Sequence, residues 1–200
     1  MNIEVLTLDC VDQKDFFNFL KTASLEIDHP ASANMWSEDW ETNNSTLPYL
    51  IYKKKRLVDP KGEFYILKIN GKIEAMAGVY ISDFDENVAL GGVRAWVNKK
   101  YRAQFLIGKY ILPLQLTWSK QKKCKLFFLT FNEYNKNLIN SIKRSGFGIV
   151  KNRTPNKLFY NGVFESPFPC NIQHTKQWVV YDKIDKSYNF NWEVIRWDDE

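Results

Sequence analysis

The sequence predicts an α/β chain with a mixed, mostly antiparallel sheet and helices on both faces. Three observations carry this: a three-strand meander centred on an Asn-Gly turn, a short apolar run further on that reads as a buried strand, and helical periodicity on either side of that run. At 200 residues the chain lies within what one hydrophobic core organises. No repeat, low-complexity tract or linker divides it, so residues 1–200 read as a single domain.

In order, Ile3 to Leu8 is strand-like, and Asp12 to Glu26 is an amphipathic helix. Asp12 is its N-cap, and Phe16, Phe19, Leu20 and Ala23 share a face. Asp28 to Pro48 is irregular and carries Trp36 and Trp40, which pack under a loop or contact a substrate. In FYILKINGKIEAMAGVYIS, apolar runs flank Asn70-Gly71, the pair favoured where both turn residues need positive φ. After it, Ile73, Ala75, Ala77, Val79 and Ile81 alternate onto one face. A second turn at Asp83 to Asn87 leads into VALGGVRAWV. The three strands are Phe64 to Asn70, Lys72 to Ser82 and Val88 to Val97, and Gly91-Gly92 in the third predicts a bulge or a close backbone approach.

The next helix is expected to place Ile111, Leu114 and Trp118 on one face, with Pro113 kinking it or delaying its start. Lys125 to Phe131, KLFFLTF, fits a strand covered on both faces. Asn135 to Arg144 is helical by spacing, with Gly146 as its stop. Lys157 to Tyr160 and Gln177 to Asp182 are late strands separated by a long loop.

The net charge of +5 suits an anionic ligand or merely solubility. The basic runs Lys53 to Arg56 and Lys120 to Lys125 belong to no nucleic-acid-binding motif, which places nucleic acid well below the other partners. Cys10, Cys124 and Cys170 are widely spaced, and His29 and His174 are the only imidazoles, so no metal pattern is present. The opening residues are charged and mixed, unlike a secretion leader, and no apolar run approaches the ~20 residues of a membrane span. The expected compartment is a reducing cytoplasm, without a membrane partner.

At the junction of the third meander strand and the next helix stands WVNKKYRAQFLIGKYIL, and further on NKNLINSIKRSGF. These resemble the two signatures of the GNAT superfamily of acyl-CoA N-acyltransferases: a strand followed by R/Q-x-x-G-x-G/A and a helix, then an Asn followed by a helix ending in Gly-Phe. The resemblance covers roughly Phe64 to Phe147. It implies a strand pair, Val88 to Val97 and Lys125 to Phe131, that runs parallel and splays open for acetyl-CoA as co-substrate. It also implies that Val97, Arg102, Ala103, Gln104, Phe105, Leu106, Ile107, Gly108 and Lys109 hold the cofactor's phosphates, and that Asn135 contacts its arm. The physical basis is that N–H groups at a helix start bind phosphate without needing particular side chains.

This loop departs from the pattern. The family's inner glycine position falls on Phe105, and one extra residue separates Arg102 from Gly108. Seven residues after Asn135, where many members carry a Tyr that protonates the departing thiolate, stands Ile142. Candidates for acid or base work are Glu74, Tyr134 and Ser141, with His174 and the turn carboxylates Asp83, Asp85 and Glu86 below them. Trp36, Trp40 and Arg94 are substrate-contact candidates. Two readings follow: an enzyme acetylating a small-molecule amine, or a GNAT-like binding or scaffold module without turnover. The resemblance also makes a homodimer, paired through late strands, an expectation.

Overall fold

The computed structural model describes residues 2–12, 14–16, 18–19, 62–82, 85–132, 147–153 and 177–191. Its strands are β1 (Ile3–Thr7), β2 (Gly62–Ile69), β3 (Lys72–Ile81), β4 (Val88–Val97), β5 (Leu126–Asn132), β6 (Gly148–Arg153) and β7 (Gln177–Lys183). They form one sheet in the order β1-β2-β3-β4-β5-β7-β6. Every neighbouring pair is antiparallel except β4 with β5, which run parallel. The meander is as expected, and Asn70 and Gly71 close its first turn with φ of 51° and 80°. The strand β6 was not foreseen, because Gly148-Ile149-Val150 is too short an apolar run to stand out before Lys151, Asn152 and Arg153. The expected helix at Asn135 to Arg144 and strand at Lys157 to Tyr160 lie outside the described residues.

Side-chain alternation sorts the sheet into two faces. Leu67, Ile69, Ala75, Ala77, Val79, Ala89, Phe127 and Leu129 meet Leu106, Ile111 and Trp118 in one core. The alanines on β3 leave room for a helix to lie close. On the opposite face Phe19 packs edge-on against Trp96, ring centroids 4.9 Å apart. Phe19 belongs to the N-terminal helical segment, and Asp12 caps it as expected, its Oδ1 accepting from the Asp15 N–H at 3.0 Å. Phe16 and Phe19 are both buried; Leu20 and Ala23 lie outside the described residues. Helices thus cover both faces.

The α-helix after β4 starts late, as Pro113 led one to expect, but a π turn precedes it and its buried face differs from the expected one. The π turn is Ile107–Ile111, and the α-helix, α1, is Leu112–Gln121. Pro113 stands in the first turn of α1, where the Leu112 N–H still bonds back five residues to the Ile107 carbonyl. A proline costs little at such a switch, because its missing N–H falls where the ladder is already changing. Leu114 does not share the buried face: it is 38% exposed, and the face reads Ile111, Gln115, Trp118 and Ser119. The polar Gln115 and Ser119 hid this stripe from a search for apolar periodicity.

Gln115 is fully buried because β4 gives it partners. From Tyr80 to Gly78 on β3 is two steps, whereas their partners Leu90 and Val93 on β4 are three apart, so β4 bulges at Gly91-Gly92 as expected. Gly92 takes φ +68°, and a Cβ on Gly91 would lie 2.1 Å from the Phe127 ring. The Gly92 N–H donates to Gln115 Oε1 at 3.2 Å, and Gln115 Nε2 donates to the Gly78 carbonyl at 2.9 Å. One amide side chain thereby satisfies both backbone groups that the bulge separates.

At the other end of β4, the Tyr188 hydroxyl donates to Asp85 Oδ2, and the Asn87 N–H and Nδ2 both donate to Asp85 Oδ1 at 2.8 Å. Burial raises the Asp85 pKa, but Tyr188 and Asn87, helped by Lys125, outweigh it and hold this carboxyl below its ordinary value. Cys124 is buried nearby, its thiol pushed up to about 11 first by burial and then by Asp85; Cys10 is exposed.

Gln115→Met is expected to keep the volume and cost about 2–6 kcal/mol, since each of the two buried groups left unpaired costs roughly 1–3 kcal/mol; urea unfolding measures it. A depressed carboxylate pKa stabilises the fold above its ordinary value, and that stabilisation is lost as pH falls through the folded value. Tyr188→Phe should therefore lower stability at pH 7, by less than about 1 kcal/mol at a half-buried site that solvent still screens. In denaturation curves across pH, the difference from wild type should shrink as pH falls through the depressed Asp85 value.

Candidate functional site

The parallel pairing of β4 and β5 runs from Val88↔Leu126 to Gly91↔Leu129 and stops there. β4 continues to Val97, while β5 stays with β7 as far as Asn132↔Gln177. The two strands part where the bulge redirects β4, and the sheet opens into a V. Arg94 lies on the departing part of β4; its side chain is outside the described residues.

The loop at the tip of this V is built on Asn98. Its N–H donates to the Glu74 carbonyl at 2.9 Å and its Nδ2 to Glu74 Oε2 at 2.7 Å, tying the end of β4 to the start of β3. Its Oδ1 accepts from the Lys100 N–H at 3.0 Å and its carbonyl from the Tyr101 N–H at 2.8 Å, which starts the 3-10 turn Lys99–Gln104. Asn98 was not foreseen as important, although an Asn just before a helical turn is a recognisable cap in sequence. Glu74 is buried, and on this structure its carboxylate positions Asn98.

Phe105 ends the turn in the left-handed region, at φ 53° and ψ 38°. That explains the conformation for which a glycine is expected at this point: the backbone bend is kept, with an aromatic side chain on it. The helix then begins. Its first bond inward runs from the Lys109 N–H to the Phe105 carbonyl at 3.0 Å, so the N–H groups of Leu106, Ile107 and Gly108 form the helix start. The Leu106 side chain is buried in the core, so only its backbone is available to a ligand. Arg102, Ala103, Gln104 and Lys109 are exposed. The Arg102 Nε donates to the Val97 carbonyl at 3.0 Å, holding the guanidinium against the end of β4. Asn135, Tyr134, Ser141, Trp36 and Trp40 lie outside the described residues.

The electrostatics are one-sided. From Val88 to Asn132 the chain carries nine Lys and Arg residues and no Asp or Glu. Four of the cations, Lys99, Lys100, Arg102 and Lys109, stand in the loop and first helical turn. With the helix-start N–H groups, they make this end of the V suited to a polyanion.

No family model and no curated relative matches the sequence. Solved structures do. An acetyltransferase of the GNAT family from Streptococcus pneumoniae superposes with a TM-score of 0.61 at 17% identity, covering 92% of this chain and 100% of that one. An acetyltransferase from Salmonella typhimurium that modifies the N-terminal serine of a ribosomal subunit protein gives 0.63 at 11% identity, covering 92% and 96%. The proposed acetyltransferase yncA from the same organism, solved with its cofactor acetyl-CoA, gives 0.62 at 12% identity, covering 96% and 99%. The chain has the GNAT fold. At these identities the likeness establishes architecture.

Within this GNAT fold, no described helix is long and apolar enough to cross a membrane. Asn98→Ala is expected to remove the side-chain bonds to Glu74 and Lys100 and cost about 1–2 kcal/mol. Amide exchange in the 99–105 turn should speed up by more than exchange in the β2–β3 hairpin.

Proposed function

We propose that the protein is an acyl-CoA-dependent N-acyltransferase that moves an acetyl group from acetyl-CoA to the amine of a small molecule. The observation that carries the reading is the parting of β4 from β5 after Gly91, with a cationic helix start at the open end. The residues present fit the cofactor. The N–H groups of Leu106, Ile107 and Gly108, with Lys99, Lys100, Arg102 and Lys109, would hold its phosphates, and β4 beyond Gly91 offers backbone groups beside the acyl arm. Acetyl-CoA supplies an activated thioester carbonyl. The acceptor nitrogen attacks that carbon, the C–S bond breaks, and the amine loses one proton while the thiolate gains one.

Much of the acceleration would come from positioning in the V and from backbone dipoles aimed at the carbonyl oxygen. Of the three leading catalytic candidates, Glu74, Tyr134 and Ser141, only Glu74 is among the described residues, and it would take the amine proton through a water. An amine acceptor agrees with the N-terminal serine named for the Salmonella protein. The reading includes a single domain over residues 1–200, a cytoplasmic location, and pairing of two copies through late strands. The last is supported by β6, the terminal strand of the described sheet.

Ile142, at the place of the family's usual acid, favours the second reading, a module that binds the cofactor without turnover. Acetyl-CoA at a hundred times its Kd is expected to stabilise the protein by about 2.7 kcal/mol, seen as a higher Tm. It should also slow amide exchange across Arg102 to Lys109. No binding at millimolar acetyl-CoA would exclude both readings; binding with no thiol release across a broad amine panel leaves the module.

A further inference from the structure

Phe105 combines three features that neither packing nor the loop's shape requires. Its backbone sits at φ 53°, a region that costs a non-glycine residue about 1–2 kcal/mol. The residue is 38% exposed, in a loop whose other large apolar members, Tyr101 and Leu106, are buried. And one side of its ring lies directly on Gly108, where a Cβ would come within 2.0–2.6 Å of three ring atoms. Gly108 therefore serves the ring: any side chain there would collide with the aromatic where it rests on the helix start. A glycine at 105 would make the same bend without strain, so the strain is retained for the side chain. Within six residues of Phe105 in the chain are Lys99, Lys100, Arg102 and Lys109, with no carboxylate between them.

We propose that the exposed ring of Phe105 is a stacking platform for the purine base of the cofactor's nucleotide half. The inference rests on the acyl-CoA reading and adds a specificity element to it. A ligand that matches an immobilised aromatic face beside a cluster of cations must pair a flat π surface with several negative charges. The adenosine 3′,5′-bisphosphate portion of CoA does so, and base–aromatic stacking needs no hydrogen-bond code. The single ring takes the place of the inner glycine, and the loop gains affinity for the base.

The test compares three probes by calorimetry: acetyl-CoA, S-acetyl-4′-phosphopantetheine, which keeps the thioester arm and lacks the nucleoside, and adenosine 3′,5′-bisphosphate. Phe105→Gly keeps the bend and removes the ring; Phe105→Trp keeps an aromatic face and covers the case in which the glycine variant folds poorly. The expected result for Phe105→Gly is at least about tenfold weaker binding of acetyl-CoA and of the bisphosphate, with the phosphopantetheine thioester unchanged and near-wild-type binding in Phe105→Trp. Equal weakening of both thioesters would assign the ring to loop shape and overturn the proposal, as would no weakening at all. Failure of the wild type to bind either thioester sinks the acyl-CoA reading itself, a separate result from a wild type that binds both with no contribution from the ring.

Discussion

The structure depends on one buried amide. A β-bulge in the middle of a sheet leaves an N–H and a carbonyl without ladder partners, and in a dry core each such group costs as much as a lost hydrogen bond. Gln115 reaches from α1 and meets both, the Gly92 N–H and the Gly78 carbonyl. That contact allows β4 to bend in the sheet's interior, and the bend is what separates it from β5. The helix and the opening are therefore linked: Gln115 docks α1 onto the bulge and satisfies the groups that the bulge leaves without ladder partners. Ser119 reinforces it, its hydroxyl donating to the Gln115 carbonyl at 2.7 Å.

From this follows the placement of the loop. Because β4 stays with β3 as far as Val97 while its pairing with β5 ends at Gly91, its end has no strand partner on the β5 side among the described residues, and Asn98 anchors it on the other side to Glu74. The turn that follows delivers the helix start to the open end of the V, with the positive ends of the peptide dipoles and four cations gathered there. The opposite end of β4 is closed by Asp85, Asn87 and Tyr188. The strand is thus secured at both ends and, among the described residues, has no strand partner on its β5 side beyond Gly91, the arrangement a ligand lying alongside it needs.

Much of the architecture was legible because its signals are local. Asn70-Gly71 dictates a turn through backbone φ, the alternation of Ile73 to Ile81 dictates a face, and KLFFLTF can be satisfied only by burial on both sides. The glycine pair in β4 announced a bulge because few other reasons place two glycines in a strand. Leu114 was misplaced because the buried stripe of α1 is partly polar, and a polar residue reads as exposed until its partners are known. The late start of that helix was legible from Pro113, but the π turn before it was not, since it moves the register that a period of 3.6 assumes.

By itself the sequence determined the order of elements, the meander, the bulge and the basic character of the loop, since each follows from backbone sterics or from charge carried by the chain. Only the tertiary structure decided which groups meet: that Gln115 fills the bulge, that Asn98 joins two strand ends 24 residues apart in the chain, and that Gly108 seats the ring of Phe105. These are pairings between residues whose local preferences do not specify one another. A hydrogen-bond partner across a sheet or a ring over a glycine is chosen by what lies within a few ångströms after folding, and no spacing in the chain encodes that distance.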